Sequence, residues 1–177
     1  GGIITTNDVK LAEFSKIVRH HGKEGSLHTK IGYNWRMSEI NAILGIYQLR
    51  RLDEFLVKRN HVANRYAQEL NDLKNLTLIS VPSNIRHSFW KYPILLNSIK
   101  ASHLEKIFRE KYEIALGTIY FPPIHLQPFY KEKFGFSSGM LPVSEDVLSR
   151  ETCLPIFADI SEEMIDNVIK CIRMELK

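Results

Sequence analysis

The feature of this sequence that most constrains its fold is a pair of consecutive helical patterns between Ser38 and Leu73. Ser38 followed by Glu39 is typical of a helix start, and the turns that follow are apolar around most of the helix. The apolar positions there are Ile40, Ile43, Leu44, Ile46, Tyr47 and Leu49. Over residues 52–70 they narrow to one stripe opposite charged residues, which predicts a long amphipathic helix. We expect the first of these helices to be buried, either in the protein's own core or against a partner.

The rest of the chain shows a change of pattern near residue 75. Before it, residues 3–5 predict a short strand, Asn7 or Asp8 predicts the cap of a helix that ends near Gly22, and residues 23–33 predict an exposed loop. After it, strand and helix patterns alternate, which is typical of an α+β domain. We therefore predict a helix-rich segment over residues 1–74 and an α+β domain over residues 75–177.

Within residues 75–177 the pattern predicts four strands and four helices. The strands are expected at residues 76–81, 89–96, 114–121 and 153–157. A capping box of Ser102 and Glu105 is expected to start the first helix, and Ser161 is expected to cap the last. Two short helices are expected between them, near residues 128–134 and 144–149.

Composition and charge exclude several classes of function. The 177 residues carry 24 basic and 20 acidic side chains, and the densest basic patch, around Arg50 and Arg59, is interrupted by acids, so we expect no nucleic-acid partner. No apolar run approaches the roughly 20 residues of a membrane span and no leader opens the chain, so we expect a cytoplasmic protein without membrane contact. Cys153 and Cys171 lack metal-ligand spacing, so we expect packing residues and no metal site.

Two clusters could bind a ligand. Residues 32–38 would bring Asn34, Trp35 and Arg36 to a helix start, where backbone N–H groups favour an anion and Asn34 could donate to a phosphate. Residues 120–128 would present Tyr120 and His125 on a proline-stiffened turn, where both could hydrogen-bond a polar ligand. Each cluster also has an ordinary structural interpretation, as a helix cap and as a turn. No nucleophile with a base, paired carboxylate motif or Walker-type phosphate loop is present, so the pattern alone assigns no catalytic residue.

An ordered series of motifs resembles the sugar aminotransferase family called DegT/DnrJ/EryC1/StrS. The motifs are GIITTND at residues 2–8, RHHG at 19–22, GYNWRMSEINA at 32–42, QL at 48–49, LD at 52–53, YFPPIHLQP at 120–128 and CLPIF at 153–157. The resemblance extends over essentially the whole chain. It implies an α/β to α+β architecture, namely the C-terminal part of a fold-type I transferase dependent on pyridoxal phosphate (PLP), with the long linking helix and the small domain.

The resemblance also implies an activity and its site residues. Family members use PLP to move an amino group, usually from glutamate, onto a keto sugar attached to a nucleotide. The resemblance places Asn34 across a homodimer interface at the PLP phosphate, and Tyr120 and His125 on the substrate side of the cleft. The family's Schiff-base lysine would precede residue 1, and Lys30 does not replace it, so we expect the chain alone to be inactive.

Two other functions remain open at this point. One is a non-catalytic regulatory or interaction protein on the same fold, which would not need the missing lysine. A PLP-dependent sugar dehydratase would have histidine in place of that lysine. The sequence does not specify the sugar, the nucleotide or the carbon position.

Overall fold

The computed structural model describes residues 2–177 and divides the chain into two compact units, one ending at Leu52 and the other comprising Asp53–Lys177. Charge differs sharply between the units. The first carries eight basic and four acidic side chains, whereas the second carries 16 of each, so the formal net charge of +4 resides entirely in the first unit.

The first unit is built from two helices and a short hairpin. They are α1 (Val9–Val18), β1 (Lys23–Glu24), β2 (Leu27–His28) and α2 (Glu39–Arg50). Asp8 caps α1 by accepting from the backbone N–H groups of Lys10 and Leu11, and Ser38 caps α2, as the sequence predicts. The strand predicted at residues 3–5 is absent, and the predicted loop at 23–33 contains the antiparallel β1–β2 hairpin.

The second unit contains the remaining elements. They are α3 (Leu52–Leu70, whose first residue belongs to the first unit), β3 (Leu76–Leu78), β4 (Tyr92–Leu96), α4 (Ala101–Tyr112), a 3₁₀-helix (Ile124–Leu126), α5 (Pro128–Phe134), α6 (Pro142–Arg150), β5 (Glu151–Leu154) and α7 (Glu162–Glu175). The three strands form an antiparallel sheet in the order β3-β4-β5. Leu76 pairs with Leu96, and Tyr92 pairs with Leu154.

The core of this unit lies where the sheet meets the apolar stripes of α3, α4 and α7. Its fully buried members include Tyr66, Leu70, Tyr92, Ile94, Leu96, Leu104, Phe108, Ile165 and Ile172. The stripe of α3 contributes Val62, Ala63, Tyr66 and Leu70. Burial of each such side chain stabilises the fold by about 1.5–3 kcal/mol, so these contacts explain why α3 clusters with the second unit. The sequence pattern predicts the boundary between the two parts of the chain later, after residue 74.

Several local predictions need correction. Residues 114–121 form no strand, and Gly117 makes only an isolated bridge to Cys153. The strands predicted at 76–81, 89–96 and 153–157 are confirmed in part, with shifted or shorter bounds. Helix α4 begins after Lys100 without a side-chain cap, so the capping box predicted for Ser102 and Glu105 does not form.

The helix starting at Ser161 is confirmed, because the Ser161 hydroxyl accepts from the backbone N–H of Met164. The short helices α5 and α6 match the predicted positions closely. Within residues 2–177, no helix has both the length and the apolar character needed to cross a membrane.

Candidate functional site

Asn34 lies on a backbone crossing that follows α1. The chain leaving α1 runs antiparallel to the chain leaving the hairpin, and His20 and Asn34 form a β-bridge. Three backbone bonds hold the crossing: Tyr33 N–H to Val18 O at 2.7 Å, His21 N–H to Tyr33 O at 3.0 Å and Trp35 N–H to Arg19 O at 3.0 Å. Asn34 therefore lies on an ordered segment four residues before the Ser38 cap, and not on the helix start itself.

Two glycines make this crossing possible. A Cβ on Gly22 would lie 1.8 Å from the backbone oxygen of Lys30, and Gly22 also has a φ of +70°. A Cβ on Gly32 would lie 1.9 Å from the backbone nitrogen of Gly22. Only glycine allows backbones to approach so closely, which explains the glycines that end RHHG and begin GYNWRM.

The Asn34 side chain is free to bind a ligand. It is exposed and makes no hydrogen bond to any residue in the described range 2–177. Beside it, the rings of Tyr33 and Trp35 stack at 4.2 Å with an angle of 7° between their planes. The bonded backbone fixes the point from which the Asn34 side chain projects, beside the stacked aromatic pair.

The surroundings of the crossing are strongly positive. Partial burial lowers the pKa of His20, and the charges of Arg36, His21, Lys23 and Arg19 lower it further. Among residues 2–177, none of Arg19, Lys23 and Arg36 forms an ion pair with an acid. We call Arg19, His20, His21, Lys23 and Arg36 the basic cluster. Its unneutralised charge suits an anionic ligand such as a phosphate.

The second predicted cluster lies in the second unit, after the bridge between Gly117 and Cys153. The backbone N–H of Ile119 donates to the Glu151 carboxylate at 3.0 Å, and Lys91 Nζ donates to Thr118 O, so this segment is anchored on β5. Tyr120 follows with a φ of +58° and a side chain that is 65% exposed. A bulky residue in this conformation is uncommon, and such strain is found most often at functional positions.

The turn after Tyr120 places its other predicted residue inside the protein. Phe121–Pro122 is a cis peptide bond, and the 3₁₀-helix Ile124–Leu126 carries His125, which is only 5% exposed. His125 Nε2 lies 3.0 Å from Glu145 Oε1 on α6, which leaves Nδ1 as the ring nitrogen that Glu145 does not engage. Tyr120 is thus the accessible member of the pair.

Sequence reasoning missed several residues of these sites. Of the basic cluster the sequence pattern singled out only Arg36, although the concentration of net charge before residue 53 was a signal for the rest. Glu145 was not singled out, because its partner His125 lies 20 residues away and no local pattern connects the two.

The cysteines behave as packing residues. Both are buried and free of disulfides, and burial raises the pKa of the Cys153 thiol to about 12. No group of three or more potential metal ligands occurs within the described residues.

Comparison with known proteins identifies the family. The model of the DegT/DnrJ/EryC1/StrS aminotransferase family matches residues 1–173. This chain belongs to that family. The resemblance carried by the motifs is therefore confirmed.

Individual relatives agree with this assignment. The chain is 31% identical to uncharacterized protein MJ1066 of Methanocaldococcus jannaschii over 98% of its own length and 49% of that protein. It is 30% identical to the dTDP-3-amino-3,4,6-trideoxy-alpha-D-glucose transaminase of Micromonospora megalomicea, over 98% of this chain and 47% of that protein. The chain thus spans about half the length of the curated relatives it matches.

Solved structures confirm the fold class. A DegT DnrJ EryC1 StrS aminotransferase from Brucella abortus superposes with a TM-score of 0.83 at 30% identity, covering 97% of this chain and 45% of that one. The PLP form and the PMP form of a putative sugar aminotransferase, Spr1654 from Streptococcus pneumoniae, share the fold with TM-scores of 0.86 and 0.84. The chain has the architecture of part of a fold-type I aminotransferase.

Proposed function

We propose that this chain is the C-terminal part of a PLP-dependent aminotransferase that moves an amino group, from glutamate, onto a nucleotide-linked keto sugar. Membership of the DegT/DnrJ/EryC1/StrS family supports the reaction class. The observation that carries the assignment to this chain is the unbonded Asn34 amide beside the unneutralised basic cluster.

The residues around Asn34 fit the phosphate of PLP. A dianion needs several donors, and a neutral amide adds one without the desolvation penalty of another buried charge. The basic cluster supplies the favourable potential, and the backbone bonds of the crossing hold the main chain of Asn34 in place. When bound, PLP would supply an electron sink for transfer of the amino group.

The chain's own contribution is binding and orientation. Asn34 would hold the cofactor phosphate across a homodimer interface, and the exposed Tyr120 would bind the nucleotide sugar. The predicted substrate residue His125 is buried against Glu145, so in this proposal it acts on the substrate through the turn that it supports. None of these residues is assigned a catalytic role. In this proposal the Schiff-base lysine comes from a part of the protein outside this chain, and the chain alone is inactive.

The apolar surface of α2 supports the homodimer. Its large apolar side chains are 51–73% exposed, namely Ile40, Ile43, Leu44, Ile46, Tyr47 and Leu49. A helix that is apolar on most sides and exposed within its own chain fits a surface covered by another polypeptide.

Replacement of Asn34 tests the cofactor site. One charge-assisted hydrogen bond contributes about 1.5–3 kcal/mol, so Asn34→Ala should weaken PLP binding about ten- to a hundredfold in the full-length protein. The measurement is a PLP titration followed by absorbance. Asn84→Ala, at an exposed asparagine of the second unit, is the matched control and should bind PLP normally. An Asn34→Ala affinity equal to that of the control would exclude the site.

Replacement of Tyr120 tests the substrate site. Tyr120→Phe removes one exposed hydroxyl and should raise the KM for the nucleotide sugar by about three- to tenfold, while PLP affinity stays unchanged. Tyr130→Phe removes the hydroxyl of another solvent-accessible tyrosine, on α5, and serves as the control. His125→Ala should also raise this KM. Steady-state kinetics with unchanged KM for both variants would remove the turn from the substrate site.

A further inference from the structure

Glu145 makes an unusual number of contacts for a side chain near a helix start. Its two carboxylate oxygens accept from His125 Nε2 at 3.0 Å, the Ser138 hydroxyl at 2.8 Å, the Gly139 N–H at 2.8 and 3.0 Å and the Leu141 N–H at 3.3 Å. Four separate donors from two segments of the chain therefore converge on one carboxylate.

These contacts suit an ionised carboxylate, to which a protonated His125 Nε2 donates. Both oxygens act only as acceptors, whereas an amide would turn an N–H₂ group toward at least one of the donors. The Gly139 N–H, His125 and Ser138 together lower the pKa of Glu145 to about 2, so the side chain is charged at neutral pH. The contacts with Ser138, Gly139 and Leu141 order the start of α6, and the contact with His125 reaches a different element.

The contact with His125 bears on Tyr120. Upstream, Tyr120 is held by the Ile119 N–H bond to Glu151 on β5. Downstream, Gln127 Nε2 closes the turn on Pro122 O at 2.8 Å, and the buried His125 ring ties that turn to Glu145. Tyr120 therefore lies between two segments that are each held by a carboxylate. Glu151 binds the backbone of Ile119 before it, and Glu145 binds the ring of His125 after it.

We propose that Glu145 is a positioning residue, which fixes the buried His125 ring on α6 and so sets the location of the 120–127 turn that presents Tyr120. The link from Glu145 to the substrate rests on the proposed function, whereas the placement of the 120–127 turn by Glu145 does not. Loss of the anchor frees a residue held at a φ of +58° to relax, which moves the phenol away from its bound position.

Hydrogen exchange on the full-length protein tests the placement directly. Glu145→Gln keeps the shape of the side chain but removes an acceptor, so the hydrogen-bonded amides of Ile119, Leu126 and Gln127 should exchange about tenfold faster than in the parent. Glu132→Gln is the matched control, because Glu132 on α5 is exposed and makes no hydrogen bond or ion pair within residues 2–177. Unchanged exchange at 118–127 in Glu145→Gln would overturn the proposal.

Kinetics then separate positioning of the turn from a general loss of stability. Glu145→Gln should raise the KM for the nucleotide sugar by about tenfold, with unchanged PLP affinity, and Tyr120→Phe should add little in its background. Additive effects of the two substitutions would overturn the link from Glu145 to Tyr120. Faster exchange with no change of KM in either variant would support the placement and instead refute the proposed substrate role of the turn.

Discussion

At the scale of single residues, the first unit depends on two positions that admit no side chain. Gly22 and Gly32 face each other across the crossing that carries Asn34, and the atoms that a Cβ would meet there belong to backbone. Backbone atoms cannot rotate away as the end of a flexible side chain can. Any larger residue must therefore separate the two strands of the crossing and displace the amide of Asn34.

Alanine at Gly32 should destabilise the first unit. The new Cβ would lie 1.9 Å from Gly22 N, and overpacking of this kind typically costs about 1–3 kcal/mol. Gly45→Ala is the contrast, because a Cβ at Gly45 in α2 would meet no atom of its own chain within 4 Å, and alanine there should stabilise the helix of this chain by about 1 kcal/mol. Chemical denaturation followed by circular dichroism measures both. Equal stabilities for the two variants would contradict the tight crossing.

At the scale of elements, the starts of α7 and α4 show that the same capping pattern in sequence can form a cap in one helix and not in another. Ser161 and Ser102 both precede an acidic residue by a few positions, and both resemble caps in sequence. In the structure Ser161 caps α7, whereas α4 begins at Ala101, which places Ser102 within the first turn. A shift of two residues at the helix start abolishes the side-chain bond.

Alanine at the two serines should therefore have different effects. Ser161→Ala removes the hydroxyl that accepts from Met164 N–H at 3.2 Å and should cost about 1 kcal/mol of stability. Ser102→Ala should change stability by less than about 0.5 kcal/mol, because it removes an exposed hydroxyl that makes no bond within residues 2–177. Thermal unfolding of the two variants decides the comparison, and a larger loss for Ser102→Ala would show that the Ser102 hydroxyl caps α4.

At the scale of the whole molecule, charge and apolar surface are distributed unevenly. All the net positive charge lies in the first unit, where α1 and α2 bury no residue. The second unit is electrically neutral overall and contains the buried cluster. The surface that would bind an anion and the surface that would bind another polypeptide therefore both belong to the first unit. The chain itself spans about half the length of its relatives.

The homodimer should depend on α2. Leu44→Glu places a charge on its apolar surface and should convert the full-length protein from dimer to monomer at micromolar concentration, as measured by sedimentation velocity. Met174→Glu is the matched control, because Met174 is 56% exposed on α7, and it should leave the dimer intact. A parent protein that sediments as a monomer would refute the homodimer.

The sequence by itself determined the family, the fold class and the helices. Helix caps and apolar periodicity are local signals, so Asp8, Ser38 and Ser161 and the stripe of α3 could be recognised without knowledge of distant residues. The motifs also indicated Asn34 and the Tyr120 turn as candidate sites.

Only the tertiary structure decided the strand bounds, the burial of His125 and the charge around Asn34. Residues 114–121 have a strand-like composition, but a strand also needs a partner edge, and only Gly117 reaches one, at Cys153. His125 and Glu145, or His20 and Arg36, come together from positions many residues apart. Such contacts depend on how the whole chain packs, because no local pattern in the sequence specifies which distant donor meets which acceptor.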